Sequence, residues 1–291
     1  MDHCVNGIII YYRGITMVIT IKDIINIPYD KAEKTIIEFI KNKIEEANLK
    51  GAVIGLSGGV DSSVTLLLTM KAIGIERVTA LIMPDTRVTP KRDIEDALWL
   101  VKKYGIKYYV IRIDDIVDSY SAMPFFNINY NIPTGNLRAR IRMNILYYYA
   151  NLHNYIVVGT GDRSEILIGY FTKYGDGGVD ILPIGSLFKT QVRKMGDYLG
   201  LPEKITSKPS SPALWLGHKA EEELGIKYET IDLVLYALFD KHIEPEKVPE
   251  HTGVDPSIVA KILEMHRKTR HKRLSPPIPS LPWVKEPIRE I

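Results

Sequence analysis

Ser57-Gly58-Gly59-Val60-Asp61-Ser62 joins a short apolar run, Ala52 to Leu56, to an apolar, helix-like segment, Val64 to Ile73. Paired glycines after a strand let the backbone approach an anion closely, with N–H groups converging where a Cβ would otherwise stand. The helix that follows adds the partial positive charge of its N-terminus. Ser57 and Ser62 supply hydroxyls, and Asp61 offers a hard oxygen ligand for the divalent cation that accompanies a polyphosphate. The plainer alternative is a glycine-rich turn into a helix capped by Asp61 or Ser62, both good N-caps. No lysine follows the glycines, so the stretch is not a P-loop.

Outward from this loop, strand-like and helical segments alternate. Strands are expected at Ala52 to Leu56, Arg77 to Met83, Lys107 to Ile113 and Tyr155 to Gly159. Helical patterns fall between them at Ser62 to Ile73, Lys91 to Tyr104 and Gly135 to His153. Asp30 to Ala47 precedes them, with Ala32, Ile36, Ile37, Ile40 and Ile44 at helical spacing. This alternation predicts an α/β fold: a Rossmann-like, doubly wound parallel sheet with helices on both faces. Ligands of such sheets bind beyond the carboxyl ends of the strands, where the Ser57 loop lies. Past Gly185 a helical C-terminal segment is expected, at Lys189 to Leu199, Tyr228 to Phe239 and Pro256 to Thr269. Ser207 to Leu216 reads as an irregular loop. The division expected is a leader over 1–28, a nucleotide-binding domain over 29–274 and a proline-rich tail over 275–291.

Composition sets the class. The chain has 291 residues, 45% hydrophobic and 25% charged, with a formal net charge of +3. So small a charge gives no general argument for binding nucleic acid or a membrane. The single cysteine, Cys4, excludes an intrachain disulfide and a thiolate zinc cluster, which points to a reducing, cytoplasmic setting. Gly7 to Tyr12 is too short an apolar run for a signal peptide and lacks a basic region before it. Met17 stands just before a segment that reads as a beginning, so translation starting there is a further expectation.

Ser-Gly-Gly-x-Asp-Ser resembles the pyrophosphatase loop of enzymes that cleave ATP to AMP and pyrophosphate. A second set of motifs narrows the reading. Gly159-Thr160-Gly161-Asp162-Arg163-Ser164-Glu165 follows a strand, and Gly169-Tyr170-Phe171-Thr172-Lys173-Tyr174-Gly175-Asp176-Gly177-Gly178-Val179-Asp180 comes soon after. With Gly135-Asn136-Leu137-Arg138-Ala139-Arg140 and Phe188-Lys189-Thr190-Gln191-Val192-Arg193, they closely resemble the NAD synthetase family over almost the whole chain after Tyr29.

That resemblance implies ammonia-dependent amidation of deamido-NAD at the expense of ATP, through a nicotinate adenylate, with AMP and pyrophosphate released. It implies that Gly55-Leu56-Ser57-Gly58-Gly59-Val60-Asp61-Ser62, Thr160, Lys189 and Ser211 bind ATP, and that Asp61 and Glu165 hold Mg2+. It further implies that Arg140, Lys173, Asp180, His271 and Lys272 meet deamido-NAD, with Asp61, Lys189 and Lys173 in the chemistry. A homodimer with the dinucleotide site at its interface follows from the same source.

Each residue also has a plainer reading. Asp61 and Glu165 could be helix-start acids, and Lys189 a solvated lysine. Arg138, Arg140 and Arg142 could form a solvated row on one helix. The run His266-Arg267-Lys268-Thr269-Arg270-His271-Lys272-Arg273 could be a basic helix end or a nucleic-acid patch. Trp99, Trp215 and Trp283 suggest no stack. One departure from the family is His218-Lys219-Ala220, where a Gln-Thr-Asp-like run is usual, and it bears on how the loop before it closes. No glutaminase domain accompanies the motifs, so free ammonia, or ammonia from a separate partner, is the expected donor. The competing functions are another ATP pyrophosphatase adenylating enzyme, of the tRNA-modifying or GMP synthetase kind, and a non-catalytic adenine-nucleotide sensor.

Overall fold

Successive residues of the central strands are buried on opposite faces of the sheet, which sorts their side chains into two layers. The strands are β1 (Gly51–Gly55), β2 (Val78–Ile82), β3 (Lys107–Val110) and β4 (Tyr155–Val158). Ala52 and Ile54 of β1, Val78, Ala80 and Ile82 of β2, and Ile156 and Val158 of β4 belong to one apolar cluster. Val53, Leu81 and Val157, one residue out of phase, belong to the other. A sheet apolar on both faces has to be covered on both. The Tyr29–Glu46, Val60–Ile73 and Lys91–Tyr104 helices contribute to the first cluster, and the Asn131–His153 helix to the second.

The computed structural model describes residues 18–283. Cys4, the Gly7 to Tyr12 run, Met17 and the last residues of the tail lie outside it. All strand pairs are parallel, in the order β3-β2-β1-β4. The chain therefore leaves β1 toward β2 and β3, then returns to place β4 on the other side of β1. The two windings diverge between β1 and β4, which opens a crevice at their carboxyl ends. Residues 56–59 and 159–162 meet there.

The main elements form where the periodicities place them. Ile36, Ile40 and Ile44, one helical turn apart, are buried on the Tyr29–Glu46 helix. Full burial of each such side chain contributes about 2 kcal/mol. Leu66, Leu67 and Leu68 of Val60–Ile73 are all buried, so this helix is enclosed on every side rather than amphipathic. β3 stops at Val110, short of the expected Ile113, and a short helix, Asp114–Ser119, begins instead.

A third apolar cluster gathers the Tyr228–Phe239 and Pro256–Lys268 helices. Ile19 and Ile24, from the segment read as a leader, are buried in it, and Gln191 Nε2 donates to the Ile24 carbonyl (2.8 Å). Among the described residues no helix is long and apolar enough to cross a membrane.

Candidate active site

A cavity of about 650 Å³ opens at the carboxyl ends of β1 and β4. Its floor is the glycine loop. Gly58 has φ +81°, and a Cβ there would lie 2.1 Å from the Asp93 carbonyl oxygen, so glycine is required both by backbone conformation and by the neighbouring helix. Ser57 and Ser62 tie the loop to itself: the Ser57 N–H donates to Ser62 Oγ (3.2 Å), and the two hydroxyls are 3.0 Å apart. Gly59 is the N-cap of the Val60–Ile73 helix, and no side chain caps it. The capping reading of Asp61 and Ser62 is therefore corrected. The first N–H groups of this helix therefore have no side-chain cap where they border the cavity, an arrangement suited to an anion. Gly55, Leu56, Ser57, Gly59, Val60, Asp61, Ser62, Thr160, Glu165, Ser211 and Lys272 all border that space.

Beneath the loop lies an acid–lysine cluster. Lys189 Nζ is 2.8 Å from Asp61 Oδ2, 2.7 Å from Asp162 Oδ2 and 2.8 Å from Glu165 Oε1. Lys189 is 0% exposed, so the solvated-lysine reading is corrected. Burial alone would lower its pKa, but the three carboxylates more than reverse this and hold the ammonium form well above the usual lysine range. Burial pushes the Asp162 carboxyl up against the pull of Lys189, and burial together with Asp162 pushes Glu165 up. Tyr228 closes the cluster from below, with its ring 5.1 Å from Lys189 Nζ.

Two capping arrangements fix this geometry. Asp162 is the N-cap of the Arg163–Ile168 helix: its carboxylate accepts the Glu165 N–H (2.8 Å), and the Glu165 carboxylate accepts the Asp162 N–H (3.4 Å). This capping box holds both acids toward Lys189. Buried Asp232, whose carboxyl is pushed up to about 7 by burial, accepts Ser164 Oγ (2.5 Å) and the Thr190 N–H (2.9 Å). Ser164 Oγ in turn accepts the Lys189 N–H (2.9 Å), so the start of the lysine's helix is bound to the helix carrying the acids. Neither Asp162 nor Asp232 is singled out by the sequence reading. The Asp-x-x-Glu spacing was a readable sign of the first.

The expected dinucleotide residues divide. Lys272 borders the cavity and donates to the Gly169 and Phe171 carbonyls (both 2.7 Å). Lys173 Nζ donates to the His271 carbonyl (2.8 Å), and Arg140 Nη2 donates to the Lys173 carbonyl (3.3 Å), so these three adjoin one another outside the cavity wall. Asp180 accepts from Tyr147 Oη and the Val157 N–H (both 2.8 Å), which binds its loop to β4.

The arginine row is not a solvated one. Arg138 is buried against Asp85, and Arg142 borders the cavity and donates to the Met83 carbonyl (2.9 Å), its pKa brought down to about 10 by burial. Only Arg140 of the three is exposed. Part of the basic run near the C-terminus docks on protein, while Arg267, Lys268, Arg270 and His271 stay exposed. Arg273 Nη1 donates to the Ile166 and Leu167 carbonyls, and Thr269 Oγ1 to that of Ile168. Donors and positive charge thus sit at the C-terminus of the helix bearing Glu165, where its carbonyls lack partners.

His218 has a defined place. Its ring stacks on Trp215 (3.4 Å between centroids, 13°), and its Nε2 is 2.7 Å from Glu223 Oε2 and 3.1 Å from Tyr170 Oη. The loop over residues 207–219 is held at that end by this trio. At its start, Lys208 Nζ donates to the Gly58 carbonyl (2.9 Å), Asp93 (2.8 Å) and Asp96 (2.6 Å). Trp215 is thereby part of a stack that the sequence did not reveal.

Comparison with known proteins agrees with this arrangement. The family profile described as NAD synthase matches residues 32–276. The NH(3)-dependent NAD(+) synthetase of Hyperthermus butylicus is 52% identical over 263 residues, covering 90% of this chain and 95% of that one. An NH3-dependent NAD synthetase structure from Campylobacter jejuni superimposes with a TM-score of 0.74 at 33% identity, covering 87% of this chain and 100% of that one. The NMN synthetase structure from Francisella tularensis gives a TM-score of 0.77 at 33% identity, covering 88% and 100%. A likeness that runs through sheet, cavity and C-terminal helices alike shows that the chain belongs to the NAD synthase family.

Proposed function

We infer that this chain is a ligase that amidates deamido-NAD with ammonia, consuming ATP and releasing AMP and pyrophosphate. The observation that carries the reading is the meeting, at one cavity, of an uncapped helix N-terminus behind a glycine loop with Asp61 and Glu165, two carboxylates that border the cavity and are held from behind by the fully buried Lys189 beside Asp162. The chemistry explains the need for both. A carboxylate resists nucleophiles, and its oxygen is a poor leaving group. Transfer of its oxygen to the α-phosphorus of ATP, with departure of pyrophosphate, converts it to a mixed anhydride that ammonia can open with loss of AMP. The cost is charge on the phosphates. The loop N–H groups and Lys189 would offset it from fixed positions, and the cavity walls would hold the reactants together.

Asp61 and Glu165 are proposed as magnesium ligands. Oxygens of Asp61, Asp162 and Glu165 lie within 4.8 Å of one another, and Asp61 Oδ1 is buried without a hydrogen-bond partner, which fits a hard cation. Magnesium, when bound, screens phosphate charge and orients the pyrophosphate leaving group. Lys189 draws on the same oxygens, so the carboxylates would be shared between ammonium and cation. Ser57, Ser62, Thr160 and Ser211 are proposed for ATP. Arg140, Lys173, Asp180, His271 and Lys272 are proposed for the dinucleotide.

A homodimer is part of the proposal. Arg140, Asn144, Tyr148 and Leu152 form an exposed stripe at four-residue spacing on the Asn131–His153 helix, with Tyr148 75% and Leu152 65% exposed. A stripe that ends in two exposed apolar side chains, Tyr148 and Leu152, and begins at a proposed dinucleotide residue suits a second copy. A cytoplasmic location and the division at residues 28 and 274 are further parts of the same reading. So is the absence of nucleic-acid or membrane partners.

The likeness to an NMN synthetase favours one second reading, amidation of the deamido mononucleotide by the same chemistry. The test is formation of AMP and amide product by the purified protein given magnesium and ATP, with deamido-NAD or deamido-NMN as acceptor and ammonium or glutamine as sole nitrogen source. NAD with ammonium alone supports the proposal. Turnover confined to deamido-NMN replaces it with the second reading, and no AMP with any acceptor leaves a nucleotide sensor.

A further inference from the structure

Two loops roof the cavity from different parts of the chain, residues 84–90 after β2 and residues 207–219. Each carries a buried hydroxyl with no protein partner, on Thr89 and on Ser210, and both residues border the cavity. The loops are joined by one side chain. Arg138, on the Asn131–His153 helix and 3% exposed, donates from Nε to Asp85 Oδ2 (2.7 Å) and from Nη1 to the Leu214 carbonyl (2.8 Å).

Asp85 is the hub of the first loop. It is fully buried, accepts Arg87 Nε (2.8 Å) and Nη2 (3.0 Å), and its carbonyl accepts the Val88 and Thr89 N–H groups. Leu214 lies at the crest of the second loop, between the Lys208 anchor and the His218 trio. One helical turn before Arg138, a Cβ on Gly135 would come within 2.9 Å of Leu214 Cβ, so loop and helix are in tight contact.

We propose that Arg138 is a positioning residue that couples the two roof loops, so that they order over the nucleotide as one unit. A guanidinium is suited to this because its planar fork directs donors at two acceptors at once, and its charge strengthens both bonds. Displacing the second loop leaves a buried Arg138 N–H without its acceptor, and displacing the first leaves the buried guanidinium without its counter-ion, so the arrangement favours both loops seated or both released. The kinetic arm of the test rests on the ATP-dependent reaction proposed above, whereas the exchange arm does not.

Amide hydrogen exchange of the full chain, without ligand, is compared for wild type, Arg138→Met, Arg138→Lys and Asp85→Asn, alongside the KM for ATP. The expected result is faster exchange in both 84–90 and 208–217 for Arg138→Met. Asp85→Asn, which alters the first loop alone, should also loosen the second. Arg138→Lys keeps the charge without the fork and should restore protection in at most one loop. The KM for ATP should rise on the order of tenfold or more in Arg138→Met, as expected for loss of a charged hydrogen bond. Should Arg138→Met fail to fold, the Asp85→Asn exchange pattern decides the matter alone. Exchange confined to the first loop in Asp85→Asn, full recovery by lysine, or an unchanged KM in a folded Arg138→Met would overturn the proposal.

Discussion

Lys189→Met isolates the electrostatic core of the site. The substitution keeps length and apolar volume while removing a fully buried ammonium from three carboxylates at 2.7–2.8 Å. Breaking a buried pair by removing one partner costs about 3–5 kcal/mol, because the remaining charge has neither water nor counter-ion. For a chain of 291 residues that corresponds to a fall in Tm of roughly 5–8 °C. The loss should depend on pH. Burial already raises the Asp162 and Glu165 carboxyls, so the native state of the variant takes up protons more readily than the unfolded chain. Its deficit should therefore be largest above the folded-state pKa values and shrink as pH falls toward the unfolded carboxylate range. A divalent cation, held as proposed at Asp61 and Glu165, would supply the missing charge at the same oxygens. Millimolar magnesium should thus raise the Tm of the variant more than that of wild type, in proportion to RT ln(1 + [L]/Kd). Scanning calorimetry across pH, with and without magnesium, measures each part. A variant as stable as wild type, or one whose deficit ignores both pH and magnesium, would refute the idea that Lys189 is the counter-ion of this cluster.

Asp61→Asn and Glu165→Gln should each nearly abolish pyrophosphate release while leaving the circular dichroism spectrum intact; wild-type turnover by either would remove it from the metal assignment. Lys173→Ala should raise the KM for deamido-NAD with little change for ATP, and a change confined to ATP would reassign the residue. His218 tests the roof loop by pH. Burial lowers its pKa, partly opposed by Glu223, so the unfolded chain binds the proton more readily and stability is lost as pH falls below about 6.5. The drop in Tm between about pH 7.5 and pH 5.5 should be smaller in His218→Gln than in wild type, and an equal drop in both would show that His218 does not contribute.

Much of the fold and part of the site could be read from local pattern. Short continuous apolar runs, helical spacing of Ile36, Ile40 and Ile44, and paired glycines are properties of a few neighbouring residues, and they placed strands, helices and the anion loop close to where they occur. Motif resemblance added Glu165, Lys189 and Thr160 without saying how they meet. What tertiary structure decided is everything that depends on segments distant in sequence. Lys189 and Asp61 are 128 positions apart, and no local rule distinguishes a lysine at a helix start that is solvated from one enclosed by three acids. Arg138 and Arg140 are two residues apart on one helix, yet one lies buried between two loops and the other faces outward, because burial is set by what packs against each face. Strand order is likewise invisible in the alternation itself. The crevice exists only because β4 returns to the free edge of β1, and it is this return that carries Asp162 and Glu165 to the glycine loop.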